Sequence, residues 1–395
     1  SAVISWQTPE DDTLGRVRFQ PKGAGEWQTV QSVEQGTEHV IGLVGLQPGT
    51  AYEFQVTAVA RRGGEATSDA LTFRTPTESR PPMELYVSPT GDDAADGRSP
   101  ARAWRTVRKA CVEALPGDTV RVAPGVYHDP IAPIATGLPG RRITFRRWGQ
   151  GEVVIDGGEV VARLCELAYR SHVTIDGFTF QCAIPKEYPP AIIHVGPGKD
   201  IEILNCCTRK TEGRFCGESI LADSVQGLRI EGNVFAGQRY NLRSYFGSSD
   251  FVIRNNTFGH HSVMAFALKR TPNVTIVNNI FYQPKGRTNP YIGLWVDELD
   301  CGLVLDCNLY APAPDMRVVD LKQYRDTPGG RVEDFKMPGD TLENWQRLSG
   351  QDKHSLWADP LFVDAEKGDF RLRPGSPAIG KGQGGVNIGA LGVAK

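Results

Sequence analysis

The sequence predicts an all-β protein in two units, a small β-sandwich followed by a β-solenoid. Three observations carry the prediction. Residues 1–76 alternate apolar and polar residues in short runs separated by turn clusters. A six-residue pattern recurs six times between residues 175 and 310, at intervals of 23–29 residues. Glycine (44 residues) and proline (27) are abundant over 395 residues, so turns are many and elements short.

Composition sets the outer limits. A chain of this length exceeds one ordinary compact domain. The formal net charge of −2 gives no global field that calls for nucleic acid or an anionic membrane. No apolar run approaches the length of a membrane span, and a monomer is expected. The first residue is Ser1, and any targeting segment is expected to have been removed or to lie outside this sequence. The eight cysteines all lie beyond residue 110 and show no paired CxxC spacing, which argues against a structural zinc site. Their 105 possible pairings stay open. Cys206 and Cys307 sit inside hydrophobic patterns and read as small buried hydrophobes.

In the first unit, "AVISW", "GRVRFQ", "HVIGL", "AYEFQVTAVA" and "ALTFRT" are the strand candidates. The stretch "LVGLQPGTAYEFQVTAV" resembles the fibronectin type III signature through Leu46, Pro48, Thr50, Tyr52 and Val56, and Trp6 matches that family's core tryptophan. The resemblance covers about residues 1–76. It implies that the Tyr52 hydroxyl bonds back to the backbone and locks a strand corner. Almost nothing precedes Trp6, so the usual first strand is expected to be missing or its edge covered by another segment. "TPTESRPP" (75–82) then reads as short and extended, and the linker between the units is placed at residues 77–84.

The second unit, 85–395, opens with a strand and an acidic glycine-rich loop. An amphipathic helix follows, on which Trp104, Val107, Cys111 and Leu115 fall at helical spacing. The loop "TGDDAADGRS" lacks the terminal Glu of an EF-hand and reads as a surface loop. "PGDTVRVAPGVYHD" reads turn, strand, turn. This stretch resembles the N-terminal cap of right-handed parallel β-helix proteins, the pectate-lyase-like superfamily. A cap has a physical reason: an open stack of coils leaves a bare apolar end and unpaired edges.

The repeats are "IDGFTF", "ILNCCT", "IEGNVF", "IRNNTF", "IVNNIF" and "LDCNLY", starting at 175, 203, 230, 253, 276 and 305. In a parallel stack, equivalent residues lie about 4.8 Å apart, so Ile stacks on Ile and Phe on Phe inside the tube. The fourth position reads Phe178, Cys206, Asn233, Asn256, Asn279, Asn308. This column is expected at a tight turn, where Asn tolerates left-handed geometry and bonds to neighbouring coils. Four Asn in register resemble the internal asparagine ladder of the pectate-lyase-like fold. The segment 341–392 resembles the closing segment of secreted β-helix proteins of carbohydrate metabolism, with Thr341 as cap of a helix over 342–349. The expected architecture is therefore a right-handed parallel β-helix preceded by a fibronectin type III-like sandwich, in a secreted, extracellular or periplasmic protein.

β-Helices host several chemistries, so function must come from a site. With larger apolar residues turned inward, the strands before each repeat present His194, Asp223, Arg243, Tyr245, Lys269, Trp295, Asp297, Asp320 and Lys322 outward. A one-residue slip would turn the set to the other face. Such a strip suits an extended polysaccharide, with Trp295, Asp223 and Lys322 as binding candidates. β-Elimination on a uronic-acid glycan needs a cation for the carboxylate, a base for the C5 proton and an acid for the leaving oxygen. Lys269, Arg243, Tyr245 and His194 supply those types. The pectate-lyase-like resemblance implies a Lys or Arg base, often with Ca²⁺. The paired-Arg motif of pectate lyases and the signature strands of alginate lyases are not present.

Hydrolysis by two carboxylates is the first alternative, with Asp297 and Asp320 on successive strands and Asp223 and Glu298 as further candidates. A non-catalytic glycan-binding or adhesin module is the second. Lys269 and Arg270 also read as solvated turn charges ahead of Thr271-Pro272. The run Asp297-Glu298-x-Asp300 offers hard oxygen ligands for Ca²⁺ or makes a solvated turn. "GHH" (259–261) is only faintly similar to a polygalacturonase motif. Asp352 and His354 are second-tier candidates, able to approach the groove or to pin the C-terminal loop.

Overall fold

The computed structural model describes residues 2–394 apart from 10–12, 24, 44, 61–62, 76–79, 159–162, 183–190, 211–216, 246, 262, 284–289, 297–300, 312–316, 328–329 and 340.

The N-terminal unit is two facing antiparallel sheets. Ala2–Gln7 pairs with Glu38–Leu43 alone, and the second sheet runs Gln28–Gly36, Thr13–Pro21, Ala51–Ala60, Glu65–Thr67, with Leu71–Arg74 also on Ala51–Ala60. Alternation turns Val17, Phe19, Ile41, Leu43, Tyr52 and Phe54 into the core. The Tyr52 ring stacks on Phe73 with centroids 5.5 Å apart, and its hydroxyl accepts from the Gln47 amide at 2.9 Å. A side chain bonded to backbone five residues upstream fixes that corner.

The cap helix α1 spans Val107–Glu113, shorter than its apolar spacing predicts. Thr106 is its N-cap, accepting from the Lys109 amide at 3.1 Å, which leaves Trp104 outside the helix. Trp104 instead bridges to Val87 and is buried against the first coil. Leu115 lies beyond the helix end. The loop at 90–99 is part of this cap. Asp93 accepts from the Arg105 and Thr106 amides and the Thr106 hydroxyl.

Residues from Glu84 onward form a right-handed parallel β-helix of about six turns. Three parallel sheets run along it. Sheet 1 extends from Glu84–Val87 to Val304–Asp306, and sheet 2 from Gly125–Tyr127 to Leu356–Trp357. Sheet 3 holds Cys165–Leu167, Ile193–Val195, Glu218–Ala222, Tyr240–Ser244, Met264–Lys269, Pro290–Val296 and Arg317–Thr327, with Gly330–Gly339 pairing antiparallel to the last. The repeat motif explains the stacking. Ile175, Ile203, Ile230, Ile253, Ile276 and Leu305 are successive register partners on sheet 1. Phe180, Thr208, Phe235, Phe258, Phe281 and Tyr310 are the equivalent column on sheet 2.

The asparagine column differs from its expected geometry. Left-handed backbone falls one residue earlier, at Gly177, Asn205, Gly232, Asn255, Asn278 and Cys307. Asn233, Asn256, Asn279 and Asn308 point inward and are fully buried. Each side-chain oxygen accepts the amide of the coil before it: Cys206 to Asn233 at 2.8 Å, Asn233 to Asn256 at 2.9 Å, Asn256 to Asn279 and Asn279 to Asn308 at 3.0 Å. The turn bends at one position and the ladder satisfies its backbone donors from the next.

Helix α2, Leu342–Ser349, is capped by Thr341 as expected and buries Trp345. It delivers Asp352 beneath the ladder. That carboxylate accepts from Asn308 Nδ2, Ser355 Oγ, Tyr310 OH and Trp345 Nε1 at 2.5–3.1 Å. Burial pushes the Asp352 carboxyl up from its ordinary value, against the downward pull of those four donors. Among the described residues no helix is long and apolar enough to cross a membrane.

Candidate functional site

The outer face of sheet 3 carries two columns of side chains, separated by a buried one. Val195, Ala222, Ser244, Leu268, Leu294 and Leu321 form the buried column and fix which residues face out. The first outward column reads Glu166, His194, Leu221, Arg243, Ala267, Gly293, Asp320. The second lies two residues further along each strand. It contains Asp223 and Tyr245, just past their strands, then Lys269, Trp295 and Lys322 in register. Eight of the nine residues expected outward share this face, and the ninth, Asp297, lies outside the described residues.

Its acidic end is built around His194. Glu166 Oε1 is 2.8 Å from His194 Nδ1, and the opposite ring nitrogen is 3.9 Å from Asp223 Oδ2. Arg163 bonds the second Glu166 oxygen at 2.8 Å, and the Ala168 amide donates to Oε1. Burial would raise the Glu166 carboxyl, but the bond to His194 and the charges of His194 and Arg163 hold it below the usual carboxylate range. An ionised Glu166 keeps the imidazole oriented, with Nε2 turned toward Asp223.

The cationic end alternates charges and rings. The Arg243 guanidinium lies 4.7 Å from the Tyr245 ring centroid and 5.2 Å from that of Tyr240. The Lys269 ammonium lies 5.5 Å from the Tyr245 ring and 5.3 Å from the Trp295 ring. Arg243 also bonds Glu218 Oε1 at 3.0 Å. Burial works against the Arg243 charge, yet the Glu218 bond and the nearby tyrosines take its pKa upward, so it stays a cation. Small residues shape the floor. A Cβ on Gly293 would lie 3.0 Å from Met264 Sδ and 3.2 Å from the Trp295 ring, so its absence lets the indole lie down over the sheet.

Of the expected hydrolase set, Asp297 and Glu298 lie outside the described residues, and the two described members do not pair. Asp223 and Asp320 are four strand steps apart, about 19 Å at the usual spacing, beyond the roughly 5–9.5 Å of paired catalytic carboxylates. Asp320 is 3.9 Å from Arg317 and buried, and its Oδ1 has no hydrogen-bond partner. Asp352 and His354 lie at the sheet 1 corner rather than in the strip, where Asp352 closes the ladder and His354 Nδ1 meets Asp306 Oδ2 at 2.7 Å. In "GHH", His260 packs between Tyr282 and Phe370 and serves the C-terminal segment. Three further residues of the strip, Glu166, Glu218 and Tyr240, are not singled out by the strand pattern alone. "LCELA" precedes "AIIHVG" by 28 residues, the coil spacing, and that interval is the signal that places Glu166 beside His194.

Strip carboxylates do not form a calcium cage among the described residues. Glu166 and Glu218 are committed to His194 and Arg243, and Asp223 accepts from the Ser224 hydroxyl at 3.1 Å. The acidic run at 297–300 lies outside the described residues.

Comparison with known proteins adds the following. A family model described as the purple acid phosphatase N-terminal domain matches residues 1–75, a different name from the fibronectin type III resemblance of the same segment. The "Uncharacterized protein YwoF" of Bacillus subtilis (strain 168) is 28% identical over 222 residues, 53% of this chain and 46% of that protein. The match thus spans about half the length of the curated relative. Among solved structures, a complex of XylC with xylose superposes with a TM-score of 0.49 at 13% identity, covering 61% of this chain and 64% of that one. A mannuronic acid specific polysaccharide family 6 lyase from human gut microbiota gives 0.42 at 17%, covering 58% and 54%. Pectate lyase Pel3 from Pectobacterium carotovorum gives 0.36 at 12%, covering 90% and 96%. No residue role follows from likeness at this level.

Proposed function

We propose that the protein is a secreted polysaccharide lyase that cleaves an acidic, uronic-acid-containing glycan by β-elimination on the outer face of sheet 3. The observation that carries this reading is the stack Arg243–Tyr245–Lys269–Trp295, in which cations and rings alternate across three neighbouring strands. Arg243 and Lys269 pair with the uronate carboxylate, which acidifies the C5 proton. Trp295, lying over Gly293, is the platform for a pyranose face. His194 Nε2 takes the C5 proton, and the released electron pair forms the C4–C5 double bond as the C4–O bond breaks. The Tyr245 hydroxyl protonates the leaving oxygen and is reprotonated from solvent. Each charge that develops meets its opposite: imidazolium between Glu166 and Asp223, phenolate beside Arg243 and Lys269. His194 and Tyr245 arise two strand steps and two residues along the strand apart, about 12 Å in all, which leaves room for one sugar ring between their side chains.

No step is routed through calcium, for which the described strip offers no cage. The N-terminal sandwich is read as a fibronectin type III-like module, supported by the Tyr52 corner and by pairing in which Ala2–Gln7 has one neighbour.

The test is incubation with a panel of uronic-acid polysaccharides, followed by the ultraviolet absorbance of unsaturated uronate ends. That absorbance must appear with at least one polymer. Reducing ends without it would point to the hydrolase, and glycan binding without any turnover to the adhesin.

A further inference from the structure

The corner after sheet 1 carries a cluster that the proposed lyase chemistry does not use. Asp306 ends the last strand of that sheet, Cys307 follows it, and His354 arrives from the segment after α2. One ligand atom from each, carboxylate oxygen, thiol sulfur and imidazole nitrogen, lies within 4.8 Å of the other two. Among the described residues this is the one such group of three.

Three further observations concern how the cluster is built. Asp306 Oδ1 accepts the amides of Cys307 and His354 at 2.9 and 2.8 Å, so the other two members of the cluster orient its carboxylate and leave Oδ2 toward them. That is the outer-shell support a ligating carboxylate needs. The His354 side chain is 73% exposed and Asp306 31%, while Cys307 is buried, so one side of the cluster is open to water and the sulfur side is closed. Cys307 also holds a backbone position, φ 55°, that Gly177, Asn205, Gly232, Asn255 and Asn278 hold in the other coils. Glycine and asparagine suit that conformation and cysteine does not, so the conformation does not account for the thiol.

We propose that Asp306, Cys307 and His354 bind a divalent transition-metal ion of borderline softness, zinc by preference, with water as fourth ligand. A thiolate, an imidazole and a carboxylate suit zinc and not calcium or magnesium, which take oxygen donors. Bond lengths of about 2.0–2.3 Å are reached within a cluster of this size by side-chain rotation. On binding, the thiol proton leaves to solvent, the imidazole proton moves to Nε2, and the metal replaces the Asp306–His354 hydrogen bond. The ion then ties the closing segment to the last coil, so its binding energy stabilises the C-terminal end of the tube. The absence of CxxC spacing is no obstacle, because stacking brings together residues 48 positions apart.

The test uses the full chain, freed of metal by a chelator and titrated with Co²⁺ and then Zn²⁺. Co²⁺ is expected to give a thiolate charge-transfer band and the strong visible bands of a four-coordinate site, at one ion per chain. Zn²⁺ should bleach both and raise Tm. Cys307→Asn installs the residue that neighbouring coils use and so keeps the fold, checked by circular dichroism. It must abolish the charge-transfer band. His354→Ala must weaken Zn²⁺ binding at least tenfold. No charge-transfer band in the wild type, a band that survives Cys307→Asn, or Zn²⁺ affinity unchanged by His354→Ala would each overturn the proposal.

Discussion

At the scale of single residues, the proposed elimination depends on a few side chains whose neighbours define their work. Arg243 and Lys269 flank one phenol, so in the proposed elimination removing either unbalances the same developing charge. Arg243→Ala and Lys269→Ala are each expected to lower kcat/KM by about 100-fold or more, the scale of losing one transition-state donor. Gly293→Ala is a subtler probe. Its methyl group meets Met264 Sδ and the Trp295 ring, so the indole must tilt off the sheet. Steady-state kinetics should show KM rising with kcat little changed, together with a shift in tryptophan fluorescence. Glu166 supplies a pH test. Its carboxyl is held below the usual range, so its ion pairs stabilise the fold above the pH at which an unfolded Glu titrates. That contribution is lost as pH falls through the lower folded value. The stability gap between wild type and Glu166→Gln in urea should therefore be widest near neutrality and close on acidification.

At the scale of elements, the asparagine ladder and its terminator decide whether the coils stay in register. Asn256 accepts from the Asn233 amide and side chain and donates to the Ile230 and Arg254 carbonyls. Asn256→Ala leaves buried donors without acceptors at 0% exposure, a loss of about 2–4 kcal/mol in chemical denaturation. Asp352→Ala strands four donors at once and should cost at least as much, about 3–5 kcal/mol. Both elements were partly legible. The Asn spacing announced a ladder, because a polar residue recurring amid Ile and Phe needs a partner at its own period. The ladder lies in the turn, but the left-handed residue is the one before it, since Asn suits both left-handed backbone and buried amide pairing, and "RNN" and "VNN" use both in succession. The cap helix came out short for a similar reason. Apolar spacing extends from Trp104 to Leu115, but the Thr106 cap starts the helical backbone after Trp104 and the extended Ala114 ends it before Leu115.

At the scale of the whole molecule, architecture was more legible than chemistry. A repeat of 23–29 residues repeats a physical constraint in every coil, so each copy reports the fold again. The strip was legible as a face, because one buried column settles the orientation of its neighbours. Partnerships across coils were less legible, signalled at most by the interval between coils. Glu166 with His194 depends on which strands stack, and Asp306 with His354 depends on where the chain returns after α2. The measurement that bears most directly on the central claim is mass analysis of oligosaccharides released from a polyuronate by the wild type and by Arg243→Ala. The account predicts wild-type fragments whose new non-reducing end is short by one water and absorbs in the ultraviolet, with release falling about 100-fold in the variant. Fragments carrying the full mass of hydrolysis, or release unaffected by the loss of Arg243, would contradict it.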